Sequence, residues 1–285
     1  MKNKYLLLIA LPLLIAGCDK KTPKIKFEET YSAEGKMTQK LSYSYKKGKV
    51  SEILYEYFND DGSVEKTKSI FEYDGDNVVL NTSMFYDAKT DVWGETYYSY
   101  FTYDKNGNMI STIDTIVGEH GATPYSVLVQ TFNDNNLLTE IESFDYFDGS
   151  FSTTMKIEYE YNDQAQKIKE KNYTSMFSTN NELELFSYNV FSYDEVSYDK
   201  QGLLTSIKEY SDEDELGYIT RYTYDKSSFN LIEEVTSEVD ETNEKVKIKC
   251  TYEYDKKGNM SKMSYYHLDD ERVNLILDSY TVYKY

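Results

Sequence analysis

Cysteine, histidine, proline and tryptophan are all scarce in this chain, with 2 Cys, 2 His, 3 Pro and 1 Trp in 285 residues. Two cysteines cannot staple a disulfide framework. The two histidines, His120 and His267, lie far apart in order and close to the ends of turns. A Ser-His-Asp triad or a metal-His centre needs a histidine held in a defined pocket, so both are expected to be solvated side chains and no cofactor or metal is expected. No long stretch keeps apolar residues at 3.6 spacing, which removes most helix. Positive charge is in deficit too: 31 Lys and Arg face 50 Asp and Glu, a formal net charge of −19. Such a chain repels phosphate backbones, and nucleic acid is not an expected partner.

What the chain does hold is tyrosine, 31 residues of it, with 13 Phe. Its apolar surface is therefore carried by rings, most of them with a polar tip. Phe101-Thr102-Tyr103-Asp104-Lys105-Asn106-Gly107-Asn108-Met109 shows the governing pattern. Alternating aromatic and β-branched residues suit a half-buried strand. Asp at the first turn position and Gly at the fourth suit a three-residue hairpin loop closed by a G1 bulge. Tyr45-Lys46-Lys47-Gly48 and Tyr73-Asp74-Gly75-Asp76 fit two-residue type I′ loops instead.

The aromatic that ends the first strand of each unit recurs at Tyr45, Tyr73, Tyr103, Phe132, Tyr161, Tyr198, Tyr224, Tyr254 and Tyr285. A spacing near 30 residues held this long is an internal repeat of two strands and two turns. Within it, Val246, Ile248, Cys250, Tyr252 and Tyr254 alternate with Lys247, Lys249, Thr251 and Glu253, the pattern of an antiparallel sheet with one wet face. The segment from Leu183 to Tyr198 breaks the spacing and reads as a bulged strand or a small excursion. The expectation is an all-β chain, a meander of about eighteen strands. Twist should curl so wide a sheet strongly, or close it into a barrel-like or solenoidal shell. A flat single-layer sheet is the alternative.

Met1 to Lys4 is a short basic segment, followed by an apolar run from Tyr5 to Ala16 that is too short to span a bilayer comfortably. Ile15-Ala16-Gly17-Cys18 resembles a bacterial lipobox. The resemblance implies a signal peptide over 1–17, lipidation at Cys18 with palmitate-type acyl chains, and a mature chain of net charge −21 once Lys2 and Lys4 are gone. Several acyl chains on one residue anchor stably. Residues 18–24 then form a lipidated tether and residues 25–285 a single domain in the bacterial cell envelope. Outer membrane or cell surface is favoured, with the inner membrane open because Asp19 follows the cysteine.

Tyr252-Glu253-Tyr254-Asp255-Lys256-Lys257-Gly258-Asn259, with Tyr222-Thr223-Tyr224-Asp225-Lys226 and Val196-Ser197-Tyr198-Asp199-Lys200-Gln201-Gly202-Leu203, resembles the YD or RHS repeat of bacterial surface and toxin-shell proteins. The likeness runs through nearly all of residues 40–285. It implies a hairpin-repeat fold and, as these proteins are often described, carbohydrate binding. The repeat here is longer and lacks the Arg that often follows the Gly, which argues against toxin encapsulation.

Few residues offer chemistry. Asp104, Asp199, Asp225 and Asp255 belong to the repeat turn. Cys250 reads as a core thiol. In a meander, successive turns fall on opposite rims, and the rim away from the YD turns is acidic, as at Asp212, Glu213, Asp214, Glu215 and at Asp269, Asp270, Glu271. Solvation explains such a rim, and binding of a cation or a basic partner is the sharper possibility. Trp93, Tyr97, Tyr98 and Tyr100 are a candidate stacking platform for sugars, against sheet packing as the plain explanation. The expected function is a non-enzymatic binding or scaffolding lipoprotein, whose partners are the bilayer through its acyl chains and a glycan or another envelope protein. Glycan binding is the first alternative and a carboxylate-based hydrolase the second. A filled apolar interior would favour the scaffold, and a wet aromatic groove the sugar. Convergent carboxylates in a pocket with His120 or His267 would favour the hydrolase.

Overall fold

The computed structural model describes residues 24–118, 121–147, 150–175, 182–193, 203–240, 243–268 and 274–285. Cys18, His120, Tyr198, Asp199, Asp269, Asp270 and Glu271 lie outside them. Among the described residues there is no helix. Alternation of rings with short polar residues makes strands instead. The first are β1 (Phe27–Ser32), β2 (Met37–Lys46), β3 (Lys49–Phe58), β4 (Val64–Asp74), β5 (Asn77–Asp87) and β6 (Val92–Tyr103). Next come β7 (Met109–Gly118), β8 (Gly121–Phe132), β9 (Leu138–Phe147), β10 (Ser150–Tyr161), β11 (Lys167–Thr174) and β12 (Glu184–Tyr193). The last six are β13 (Leu204–Ser211), β14 (Leu216–Tyr224), β15 (Leu231–Val239), β16 (Glu244–Tyr254), β17 (Met260–Leu268) and β18 (Leu275–Lys284).

Each strand pairs antiparallel with the next, and β1 also pairs with β18, from Phe27↔Lys284 to Ser32↔Ser279. The meander therefore closes into an eighteen-stranded barrel, and the flat sheet is excluded. Turns after even-numbered strands fall on one rim and turns after odd-numbered strands on the other. The first rim carries the repeat turns. The chain enters the barrel there, just before β1, and Tyr285 ends it there.

The repeat turn has the expected three-residue form. Gly107 takes φ +86, its N–H donates to the Asp104 carbonyl at 3.1 Å, and Asp104 N–H donates to the Asn108 carbonyl at 2.9 Å. The Asp104 carboxylate accepts from the backbone N–H groups of Asn106 and Asn108, so the aspartate is spent on the loop. Lys47 and Gly48 both have positive φ, as a type I′ loop requires. In the β4–β5 turn only Gly75 does, at +56, which fits type II′ rather than the I′ expected from sequence.

One assignment within the repeat changes. The residue that ends β12 and pairs with Leu204 across the bulge is Tyr193, not Tyr198. With Tyr193 in place the spacing evens out, and the irregularity belongs to the connection that follows β12. The physical reason is that the Tyr-Asp-x-x-Gly signature at 198–202 reads locally like a strand end, whereas pairing is set by the neighbouring strands.

The repeat tyrosine has a specific task. Tyr73 donates its hydroxyl to the Val50 carbonyl at 2.7 Å, Tyr103 to Val78 at 2.9 Å, and Tyr161 to Leu138 at 2.7 Å. Tyr224 donates to Leu204, Tyr254 to Leu231, Tyr285 to Met260, and Tyr45 to Ile25 just ahead of β1. In the strand pairs that carry a repeat turn, a register shift stands immediately before the repeat aromatic, as between Thr102 and Tyr103. The bulge turns the ring so that its hydroxyl reaches the preceding unit. A belt of ring-to-backbone bonds thus runs around one rim, and Phe132 lacks the hydroxyl to join it. Replacing Tyr73 or Tyr254 by Phe is expected to cost about 1 kcal/mol each. Phe132→Tyr should cost nothing or stabilise. Guanidinium unfolding midpoints check both, and an unchanged midpoint in both Tyr→Phe variants would remove the belt as a source of stability.

Candidate functional site

Antiparallel partners share a face of the sheet, so the register divides side chains into two sets. One holds Tyr43, Tyr55, Phe71, Tyr73, Phe101, Tyr159, Tyr222, Tyr252 and Tyr283, with Glu28, Asp114 and Glu234 among them. Burial is the leading cause of the raised pKa of Glu28, Asp114, Tyr43 and Tyr55, and it pushes Tyr159, Tyr222 and Tyr283 up to about 12. On the opposite set, shifts at Glu29, Lys156, Lys171 and Arg221 come first from hydrogen bonds to charged partners. The concave side of a closed sheet gathers more protein around a side chain than the convex side, where the buried residues include small ones such as Ser237 and Ser264 shielded by larger neighbours. The aromatic set therefore lines the inside, where Tyr55 is 3% exposed.

The inside is lined rather than filled. Among the described residues only Ser237 is less than 2% exposed, and the buried apolar cluster is local, Val50, Ile53, Tyr55, Phe71 and Val78. A circular barrel of this strand number would be roughly 36 Å across its backbone, which leaves about 20 Å clear between inward side chains.

The outer wall is charged within its strands. Ion pairs there include Lys66–Glu56 at 3.4 Å, Lys156–Glu140 at 2.8 Å, Lys171–Glu160 at 2.9 Å and Lys249–Glu233 at 2.6 Å. A membrane-spanning barrel presents an apolar band instead, where each Lys at mid-depth costs about 2–4 kcal/mol. Such pairs suit a wall that faces water. Its exception is an uncharged strip across β5 to β9, in which Leu80, Tyr100, Ile113, Val127 and Phe144 pair in a row.

The four residues of the sequence-derived platform do not act together. Tyr98 and Tyr100 lie on that strip, 6.2 Å apart, with Tyr100 44% exposed. Tyr97 faces inward beside Tyr125 and Phe85. Trp93 is outward but far along the strand, tilted against Tyr86 with the Lys68 ammonium 4.6 Å from its ring. A register shift between Met84 and Phe85 is what moves Trp93 to the outer face. His267 is inward, not on the outer surface, with Nδ1 3.4 Å from Asp278. Cys250 is a free, half-buried inward thiol whose pKa burial raises, which makes it a poor nucleophile.

Glu28 is the inward acid at the β18–β1–β2 seam. It accepts the Tyr43 hydroxyl at 2.6 Å and pairs across the ladders with Leu41 and Tyr283. Asp114 accepts from Ser99 at 2.5 Å on the inner wall.

At the acidic rim a cavity of about 460 Å³ opens between the ends of β12, β13, β14 and β15. Glu184, Phe186, Ser187, Glu209, Asp212, Glu215 and Tyr218 are among its walls. It joins two segments singled out from sequence, the irregular stretch after Leu183 and the acidic run Asp212 to Glu215. Glu213 and Asp214 sit at the tip of the turn beside it, where Asp214 accepts the Tyr188 hydroxyl at 2.8 Å. Glu209 and Tyr218, a cross-strand pair pointing inward, carried no sequence signal.

No protein-family model matches the chain, and no curated protein matches it in sequence. Among solved structures it is similar to a porin-like protein from Bacteroides uniformis, at 11% identity and TM-score 0.45, covering 91% of this chain and 96% of that one. A porin-like protein from Bacteroides vulgatus is similar at 10% identity and TM-score 0.38, over 92% and 98% of the two chains. The Photorhabdus luminescens Tc holotoxin pore is similar at 13% identity and TM-score 0.31, over 86% of this chain and 15% of that one.

The buried acid gives a testable sign. Burial holds the Glu28 carboxyl above its ordinary value of 4.5, so the folded protein binds that proton more tightly than the unfolded chain. Stability from this group is present at acid pH and is lost as pH rises through the folded pKa. Glu28→Gln, which keeps an acceptor for Tyr43, should raise the melting temperature at pH 7, and the advantage should shrink toward pH 4. Equal melting shifts at both values would show that Glu28 is not desolvated.

Proposed function

We propose that this is a lipid-anchored envelope protein whose barrel stands in water and acts as a non-enzymatic binding chamber. The observation that carries the reading is the division of its wall, aromatic inside and ion-paired outside. The charged outside favours a barrel held at a membrane over one that crosses it. Lys24 to Lys26 enter the barrel at the repeat rim, so a tether from Cys18 would put that rim toward the bilayer and the acidic rim away from it. Cells fed a labelled fatty acid should label the wild-type protein and hold it in the membrane fraction. Cys18→Ser should be unlabelled and released. Wild-type protein that is unlabelled and soluble would sink the anchor.

An interior lined with rings, packed only around the Val50, Ile53, Tyr55, Phe71 and Val78 cluster, favours a ligand-binding role over a scaffold. Glycan binding is a second reading, and the outer strip with Tyr98 and Tyr100 supports it. Tyr100→Ala should abolish any glycan-array signal while Trp93→Ala leaves it, because Lys68 and Tyr86 cover Trp93. Loss with Trp93→Ala alone would reverse that assignment.

A further inference from the structure

The rim cavity combines three features that together select a ligand chemistry. Its volume of about 460 Å³ suits a small molecule rather than a chain segment. Two of its rings present themselves at a mouth: Phe186 is 54% exposed and Tyr218 41% exposed. Tyr218 contrasts with inward rings such as Tyr55 and Phe71, which are buried. Phe186 reaches this position because a register shift between Asn172 and Tyr173 leaves it as the extra residue of β12.

The second feature is charge. Glu184, Glu209, Asp212 and Glu215 line the cavity, and no Lys, Arg or His is among its described lining residues. Of the cations near the cavity, Lys247 is held 2.6 Å from Glu238, the cross-strand partner of Tyr218, and Lys245 stands opposite that same Glu238. Lys208 pairs with Val190 and Ile219 on the outer face, and Lys169 lies over the outward Tyr188 ring at 4.1 Å. The third feature is spacing. Among the described residues no three His, Cys, Asp or Glu are grouped so as to hold a metal ion. Carboxylates spread around a ring-lined crevice suit a cation larger than a metal ion, one whose charge is carried on a carbon frame.

We infer that this cavity binds small organic ammonium ions, with the charged nitrogen held by Glu209 and the acids beside it and the carbon frame against Tyr218 and Phe186. A ring face attracts a cation through its quadrupole, and the carboxylates add a field that a neutral ligand does not feel. The remaining acidic turns of this rim extend that field outward. The rim then serves as an entrance that concentrates cations near the chamber, and the effect weakens as salt screens it.

The inference rests on the binding-chamber reading, and the test separates the two. Titration calorimetry of the full-length chain in detergent would compare 2-phenylethylamine with its neutral counterpart 2-phenylethanol and with maltose. The amine should bind at least tenfold more tightly than the alcohol, and added salt should weaken it. Glu209→Gln and Tyr218→Leu should each weaken it at least fivefold, while Tyr218→Phe retains binding. Unchanged melting of each variant serves as the control for folding. Amine and alcohol binding alike, amine binding untouched by both variants, or no heat with the amine would each overturn the inference. Maltose binding without amine binding would overturn it and leave the chamber reading standing.

Discussion

Everything in this barrel depends on the ladder that joins β1 to β18. An antiparallel sheet of this width must either expose two edges or abolish them, and exposed edges invite pairing with other chains. Closure removes the problem and adds a consequence. Once the sheet is a ring, strand alternation ceases to mean two equivalent wet surfaces and comes to mean inside and outside. The seam itself shows both. Phe27 and Glu29 point outward, where Lys284 donates to Glu29 at 2.6 Å, while Glu28 between them points in among tyrosines.

Tyrosine is the residue this arrangement calls for. A packed core would use Leu, Ile and Val, which bury area and ask for nothing else. A wall with protein on one side and a solvated space on the other needs rings that pack sideways and a polar end that can be satisfied. At the repeat rim the hydroxyl finds a backbone carbonyl of the preceding unit, so one side chain both packs and pins neighbouring strands. The turn aspartate is absorbed likewise, with Asp104 and Asp255 accepting from their own loops. Repetition in this sequence is therefore the signature of construction, and recognition belongs where the units differ.

Strand number, period, the three-residue repeat turn and the alternation of rims were legible in sequence because each is a local or periodic property, whereas the two-residue β4–β5 turn took type II′ instead of the expected I′. Position on a face was legible only between bulges. A single register shift at Met84 and Phe85 puts Trp93 outside, although it is an even number of residues from the inward Tyr97, and a similar one makes Phe186 the extra residue of β12 at the rim. The Tyr-Asp signature at 198 misled for a related reason: it records a turn preference, whereas Tyr193 holds its place by pairing with Leu204. The rim cavity was half visible. Both of its segments departed from the repeat, but the Glu209–Tyr218 pair between them looks like any other cross-strand pair until the strands are aligned.

The two rims differ in a way that closure makes permanent. Because every turn after an even strand lies on one rim, charge placed in those turns cannot mix with charge on the other. The repeat rim interleaves Lys46, Lys47, Lys105, Lys226, Lys256 and Lys257 with its aspartates, whereas Asp60, Asp61, Asp87, Asp91 and Asp212 to Glu215 share the opposite rim with few cations. Solubility alone would be served by either distribution, since only net charge matters for it. A segregated one gives the tube a direction. With the chain entering at the mixed rim, the acidic rim is the one left free, and it is also the rim at which the wall opens into a ring-lined cavity. Entry, charge and cavity thus lie along one axis, and that alignment follows from the even-and-odd arithmetic of a closed meander.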